Sequence, residues 1–256
     1  FILKKVHKEK LYDFLREMEF NRLLSQAISF YGELENENIL SKNTIKPSTT
    51  INIKSYESIT NEKDLEKWLK ILNEQSIISV DTETSSLNSL EADLVGISFS
   101  YAPNKACYIP LAQKNIKCLK KELVLKKIKP ILEDSSIKKV GQNIKFDFII
   151  FKQNGIELNS IEDTMLISYT LDAGINRHNL DTLSEIHLNH KTISYKELVG
   201  TGKNKLNFSD VKLDKATEYA AEDADVTLRL YNYLKARLDE EKLNKIYEAF
   251  EKPMVE

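Results

Sequence analysis

Ile77-Ile78-Ser79-Val80-Asp81-Thr82-Glu83-Thr84 is the stretch on which the fold turns. Its first four residues are short, apolar and rich in β-branched side chains, which reads as a buried strand. Two acids follow directly, two residues apart, so on an extended chain both project to one face. A buried strand that ends in paired carboxylates is costly, since like charges about 4 Å apart repel by roughly 4 kcal/mol at an effective dielectric of 20. A lone Asp-x-Glu is more often a loop or cap, so the remaining chain has to say why the cost is tolerated.

Downstream, Val95 to Tyr101 and Ala106 to Leu111 read as strands joined by the turn Ala102-Pro103-Asn104-Lys105, a hairpin that extends the first strand into an antiparallel meander. A basic helix from about Leu119 to Leu132 leads to a strand at Ile137 to Val140, and a strand–helix–strand link of this kind implies a parallel, right-handed crossover. The expected class is α/β, a mixed five-stranded sheet with three antiparallel strands and then parallel strands, flanked by helices. Upstream, Asn61 is placed to cap a helix through Leu65, Trp68, Leu69 and Leu72 to about Glu74. Residues 42 to 59 lose helical period, with a short strand expected at Ile51 to Ile53, and a boundary is placed there. Before it, residues to about 41 read as two short helices.

The later segments read as helices at Lys145 to Asn154 closed by Gly155, Asp163 to Leu171, Leu180 to Leu188 and Leu213 to about Leu238. Lys191 to Asp210, with Gly200-Thr201-Gly202-Lys203, reads as a loop on the substrate side.

Composition narrows the class further. Hydrophobic residues make up 41% and charged residues 30% of 256 residues, which excludes disordered and membrane-spanning compositions and allows a sizeable core. A formal charge of −2 excludes a protein that coats nucleic acid through a general basic surface, but not an enzyme that holds a few nucleotides through metals. Cys107 and Cys118 show no metal or disulfide spacing, which fits reduced thiols in a cytoplasm. The opening on Phe1 leads to the expectation of a fragment of a longer protein, expected to be monomeric and cytoplasmic, with no membrane partner.

Asp147, near the start of a helix, and Asp223, in the last long helix, supply two more carboxylates, and Tyr219 lies one helical turn before Asp223 on the same face. Four acids converging at one sheet end need cations between them. All-oxygen donors suit hard divalent ions, and a pair of ions about 3.5–4 Å apart is a recurring solution for phosphodiester hydrolysis.

Taken in order, Val80-Asp81-Thr82-Glu83-Thr84, Gly141-Gln142-Asn143-Ile144-Lys145-Phe146-Asp147 and Tyr219-Ala220-Ala221-Glu222-Asp223-Ala224-Asp225 resemble the three exonuclease motifs of the proofreading domain of bacterial DNA polymerase I. That domain has a ribonuclease H-like fold and belongs to the DEDD superfamily, here with tyrosine in the third motif. Arg177-His178-Asn179-Leu180-Asp181-Thr182-Leu183 and Gly200-Thr201-Gly202-Lys203-Asn204 are similar to the same family. The resemblance implies a helical linker from the 5′-nuclease region at 1–50, the exonuclease domain at 51–240 and the start of the polymerase connection at 241–256.

By that resemblance, Asp81, Glu83 and Asp223 hold a first metal, Asp81 bridges to a second that Asp147 supports, and Tyr219 orients the attacking water. The ions implied are two Mg²⁺ or Mn²⁺, with Zn²⁺ an alternative at the first site. Leu87 and Tyr195 are expected to wedge or stack against the terminal bases, Gln142 and Asn143 to hydrogen-bond the nucleotide, Phe146 to offer a ring, and Arg177 to meet phosphate. The implied partners are a single-stranded DNA 3′ end, the nucleoside monophosphate product, and polymerase and 5′-nuclease regions of the same parent chain. Asp163, Asp225, His178, His187 and His190 are read as structural, and Lys203 and Lys205 as a small basic loop. An inert scaffold domain and an exoribonuclease of the same superfamily are the alternatives.

Overall fold

The structure, a computed structural model, describes residues 6–18, 20–32, 50–114, 116–202 and 206–255; the expected basic loop at Lys203 and Lys205 lies outside the described residues. The chain divides into two compact units, residues 1–45 and 46–256. The first contains α1 (Lys8–Glu17) and α2 (Asn21–Tyr31), with Tyr12 buried and its phenol donating to the carbonyl oxygen of Gly32 at 2.6 Å.

In the second unit, β1 (Glu57–Ser58), β2 (Ile77–Thr84), β3 (Leu94–Ala102), β4 (Lys105–Pro110), β5 (Lys138–Gly141) and β6 (Ile161–Asp163) form one sheet in the order β1-β4-β3-β2-β5-β6. The meander β2-β3-β4 is antiparallel and β5 runs parallel to β2, as expected from the turn chemistry and the crossover, while β6 adds to the sheet in parallel with β5. The described sheet has six strands rather than five. The expected strand at Ile51 to Ile53 is a 3₁₀ turn at Ile53–Ser55 instead, because the Asn52 side chain accepts from the Lys54 amide and curls the chain. The edge position falls to β1, parallel to β4. The three-residue β6 is too short for its alternation to register in the sequence, where the expected helix starts at its last residue, Asp163, which here caps α6.

Strand β2 has two occupied faces. Ile78 and Val80 point into a core with Leu65, Trp68 and Leu72 of α3 (Glu62–Asn73) and Val124, Ile128 and Leu132 of α4 (Lys121–Glu133). The opposite face meets α9 (Leu213–Glu240), where the Ser79 hydroxyl donates to the Ala224 carbonyl oxygen at 2.6 Å. Ala216, Ala220, Ala221 and Ala224 are buried along α9, and such small side chains let a helix lie close on a sheet.

Between these lie α5 (Lys145–Gln153), α6 (Thr164–Asp172), α7 (Leu180–Leu183) and α8 (Tyr195–Val199). The expected helix Leu180 to Leu188 stops being α-helical at Leu183 and continues as a wider π-type turn over Ser184–Leu188. The expected loop at 191 to 210 contains α8, nucleated by a capping box between Ser194 and Glu197. After α9 the chain continues through α10 (Asn244–Ile246) into further helical turns, with Tyr247 buried.

Candidate active site

Period-two alternation places Asp81 and Glu83 on the α9 side of β2 and Thr82 on the other. Asp223 arrives from α9, and one carboxylate oxygen from each of Asp81, Glu83 and Asp223 lies within 4.8 Å of the other two. Asp147, in the first turn of α5, comes from the far side of β2. Its Oδ1 accepts from the Thr82 backbone amide at 2.9 Å and from the Thr82 hydroxyl. The acids therefore close around the C-terminal end of the strand from both of its faces. All the donors are oxygen, a set that suits a hard divalent cation.

Each acid titrates above its ordinary range in the metal-free protein. For Asp81 the cause is burial and then the charge of Asp223. For Glu83 it is burial, then Asp81, Asp223 and Asp147. Asp147 is raised by burial and by Asp81, against the opposing hydrogen bonds from Thr82. Asp223 is raised by burial and by neighbouring Glu222, against a hydrogen bond from the Tyr219 phenol. Burial also lifts the Tyr219 phenol well above its usual range, with the charges of Asp223, Glu83 and Asp81 adding to it.

The acids sit in a pocket of about 420 Å³ that is also lined by Leu87, Gln142, Asn143, Phe146, Tyr195 and Tyr219. Leu87 is 91% exposed at its mouth. The Tyr195 ring stacks on Phe208 at 6.5 Å and meets the Tyr219 ring edge-on at 6.0 Å. Gln142 is engaged at both ends of its amide, donating to the His178 carbonyl oxygen at 2.7 Å and accepting from the Thr164 hydroxyl. Arg177 is exposed and does not line the pocket.

The residues read as structural have partners of their own. Asp225 pairs with Arg229 at 3.1 Å and also accepts from the Tyr56 phenol and the Asn104 amide. His190 bonds Glu222 at 2.8 Å, His178 bonds Ser168 at 2.9 Å, and His187 lies against the Tyr233 ring. Sequence reasoning did not single out Thr82, which holds Asp147, nor Tyr108. Burial raises the Tyr108 phenol, and the nearby Glu83 charge raises it further. Tyr108, paired with Ser98, fits there because its ring lies over the diagonal neighbour Gly96, where any Cβ would collide with it. A glycine inside an apolar strand pattern was the available signal.

A profile described as 3′-5′ exonuclease matches residues 56–239. The chain is 41% identical over 221 residues to DNA polymerase I of Rhizobium leguminosarum, covering 78% of this chain and 22% of that protein. It is 35% identical over 238 residues to DNA polymerase I of Pseudomonas aeruginosa, covering 91% of this chain and 25% of that one. It thus spans about a quarter of the length of these relatives. Among solved structures, Brucella melitensis NrnC superposes with a TM-score of 0.59 at 21% identity, over 78% of this chain and 88% of that chain. The architecture is ribonuclease H-like, and the chain belongs to the 3′-5′ exonuclease family, with an acidic cluster suited to divalent metal.

Proposed function

We propose that this chain removes nucleotides one at a time from a single-stranded or frayed DNA 3′ end, releasing nucleoside 5′-monophosphates, as the proofreading part of a DNA polymerase I. The observation that carries the reading is the meeting of Asp81, Glu83 and Asp223 within 4.8 Å, with Asp147 anchored beside them on Thr82, at the base of a nucleotide-sized pocket. Asp81, Glu83 and Asp223 would hold one divalent ion and Asp81 with Asp147 a second, Mg²⁺ or Mn²⁺. When bound, such ions lower the pKa of the attacking water and stabilise the leaving 3′ oxygen.

The chain's own groups do the positioning. Tyr219, beside Asp223 and Glu83, orients the water by its phenol, and remains protonated because burial keeps its pKa high. Leu87 wedges between and Tyr195 stacks against the terminal bases, contacts that tolerate any sequence. Asn143, exposed on the pocket wall, hydrogen-bonds the nucleotide, and Arg177 meets phosphate outside the pocket. The association with a polymerase region rests on the relatives, about a quarter of whose length this chain spans, and that with a 5′-nuclease region on the sequence resemblance alone.

The purified 256-residue chain with Mn²⁺ should shorten a 5′-labelled single-stranded DNA oligonucleotide from its 3′ end in single steps. Asp81→Ala and Asp223→Ala should each lower the rate by at least about a thousandfold. Activity that survives either substitution at saturating metal overturns the assignment, and inactivity of the unsubstituted chain favours an inert scaffold. Faster cleavage of a matched RNA favours an exoribonuclease.

A further inference from the structure

Four consecutive residues, Gly141-Gln142-Asn143-Ile144, turn the chain from β5 into α5, and the middle two line the pocket. The turn is tight and strained. Asn143 adopts a left-handed backbone with φ 58°, and a Cβ at Gly141 would meet the Ile144 side chain at 2.7 Å. This turn sets where Asn143 faces the pocket and where α5 begins, and so where Asp147 lies three residues later.

The next strand–helix junction grips that turn. Asp163, 1% exposed, accepts from the Asn143 amide at 3.0 Å through Oδ1 and from the Ile144 amide at 3.0 Å through Oδ2. Its Oδ1 also accepts from Met165 at 2.9 Å, which caps α6. The Thr164 hydroxyl shares its one proton between the Gly141 carbonyl oxygen, at 3.0 Å, and the Gln142 side-chain oxygen. Behind them, the buried Tyr247 phenol accepts from the Asp163 backbone amide at 3.2 Å. A helix cap alone needs only the Met165 bond. The two bonds across to the neighbouring turn are additional, and they satisfy amides at the start of α5 that have no partner within the helix.

We infer that Asp163 and Thr164 are positioning residues for the nuclease site, a clamp that holds the Gly141–Ile144 turn and through it Asn143 and Asp147. The clamp acts on substrate and metal only if the pocket is the exonuclease site, so the inference rests on that reading. Its direct signature does not require activity. Asp163→Asn keeps one carbonyl oxygen for the amides that Oδ1 serves but turns an NH₂ toward Ile144.

The test compares the unsubstituted 256-residue chain with Asp163→Asn, Thr164→Val and Asp225→Asn, the last a buried carboxylate on α9. Amide hydrogen exchange of the metal-free proteins, Mn²⁺ calorimetry and oligonucleotide kinetics are measured on each. For Asp163→Asn, exchange at Ile144 should quicken by at least about tenfold relative to amides of the central sheet. Mn²⁺ affinity should fall by about 10-fold, and KM for the oligonucleotide should rise. Thr164→Val should move the same quantities in the same direction by less. Asp225→Asn should lower the unfolding midpoint without a selective change at Asn143 and Ile144.

Unchanged local exchange and Mn²⁺ affinity in Asp163→Asn overturn the clamp, as does a change that Asp225→Asn reproduces. If Asp163→Asn does not fold, Thr164→Val decides by the same criteria. An unsubstituted chain that neither binds Mn²⁺ nor cleaves DNA refutes the nuclease reading instead, and the exchange comparison still decides whether the clamp exists.

Discussion

At Asp223 the demands of folding and of chemistry oppose one another. Two carboxylate charges about 5 Å apart repel by roughly 3 kcal/mol at an effective dielectric of 20, and the metal-free fold answers by holding the proton on these acids more tightly than the unfolded chain does. Asp223→Asn removes one of those charges. Denaturant unfolding in chelator should therefore find the variant more stable than the parent at neutral pH, by about 1–3 kcal/mol, while nuclease activity is lost. Tyr219→Phe keeps the ring packed against Tyr195 and Phe208 but removes the phenol. Steady-state kinetics should show kcat reduced by about 10–100-fold with little change in KM. These residues were legible because their spacing carries the information: two apart on a strand, four apart on a helix. Thr82 was not, because a threonine between two acids announces nothing until Asp147 folds back on it from the other side of the strand.

Among the elements, β3 and α9 set the tolerance of the site. Gly96 on β3 lies opposite Glu83 on β2 and leaves room for the Tyr108 ring. Gly96→Ala should cost about 1–3 kcal/mol through overpacking, read as a lower urea midpoint, and should reduce activity because the displaced ring lies next to Glu83. On α9, the Asp225–Arg229 pair, 0% and 4% exposed at its side chains, ties the helix to Tyr56 and to the hairpin turn at Asn104. Arg229→Met leaves a buried carboxylate without its cation and should cost about 3–5 kcal/mol, measured by thermal or denaturant unfolding. The meander, the crossover and the long helices were readable from period and turn chemistry. Strands β1 and β6 were not, since two or three residues hold no period, and their pairing is decided by neighbours distant in sequence. The α8 helix was readable in principle from Ser194-Tyr195-Lys196-Glu197, whose capping box the structure contains, although the weak periodicity around it suggested a loop.

For the molecule as a whole, the four acids link stability to pH and to metal. A carboxyl whose folded pKa is raised contributes stability below the ordinary carboxylate range, and that contribution is lost as pH rises through the folded value. In chelator, the melting temperature should fall as pH is raised above about 4 toward neutrality. Added Mn²⁺ should restore it, by a larger margin at pH 8 than at pH 5, since fewer protons then compete for the ligands; scanning calorimetry across that range is the check. The claim beneath all of this is that carboxylates distant in sequence meet to trap paired cations. Anomalous diffraction from a crystal soaked with Mn²⁺ and a nucleoside 5′-monophosphate tests it most directly. The account predicts two peaks about 3.5–4 Å apart, one bracketed by Asp81, Glu83 and Asp223 and the other between Asp81 and Asp147. Well-ordered acids with no anomalous density among them would contradict it.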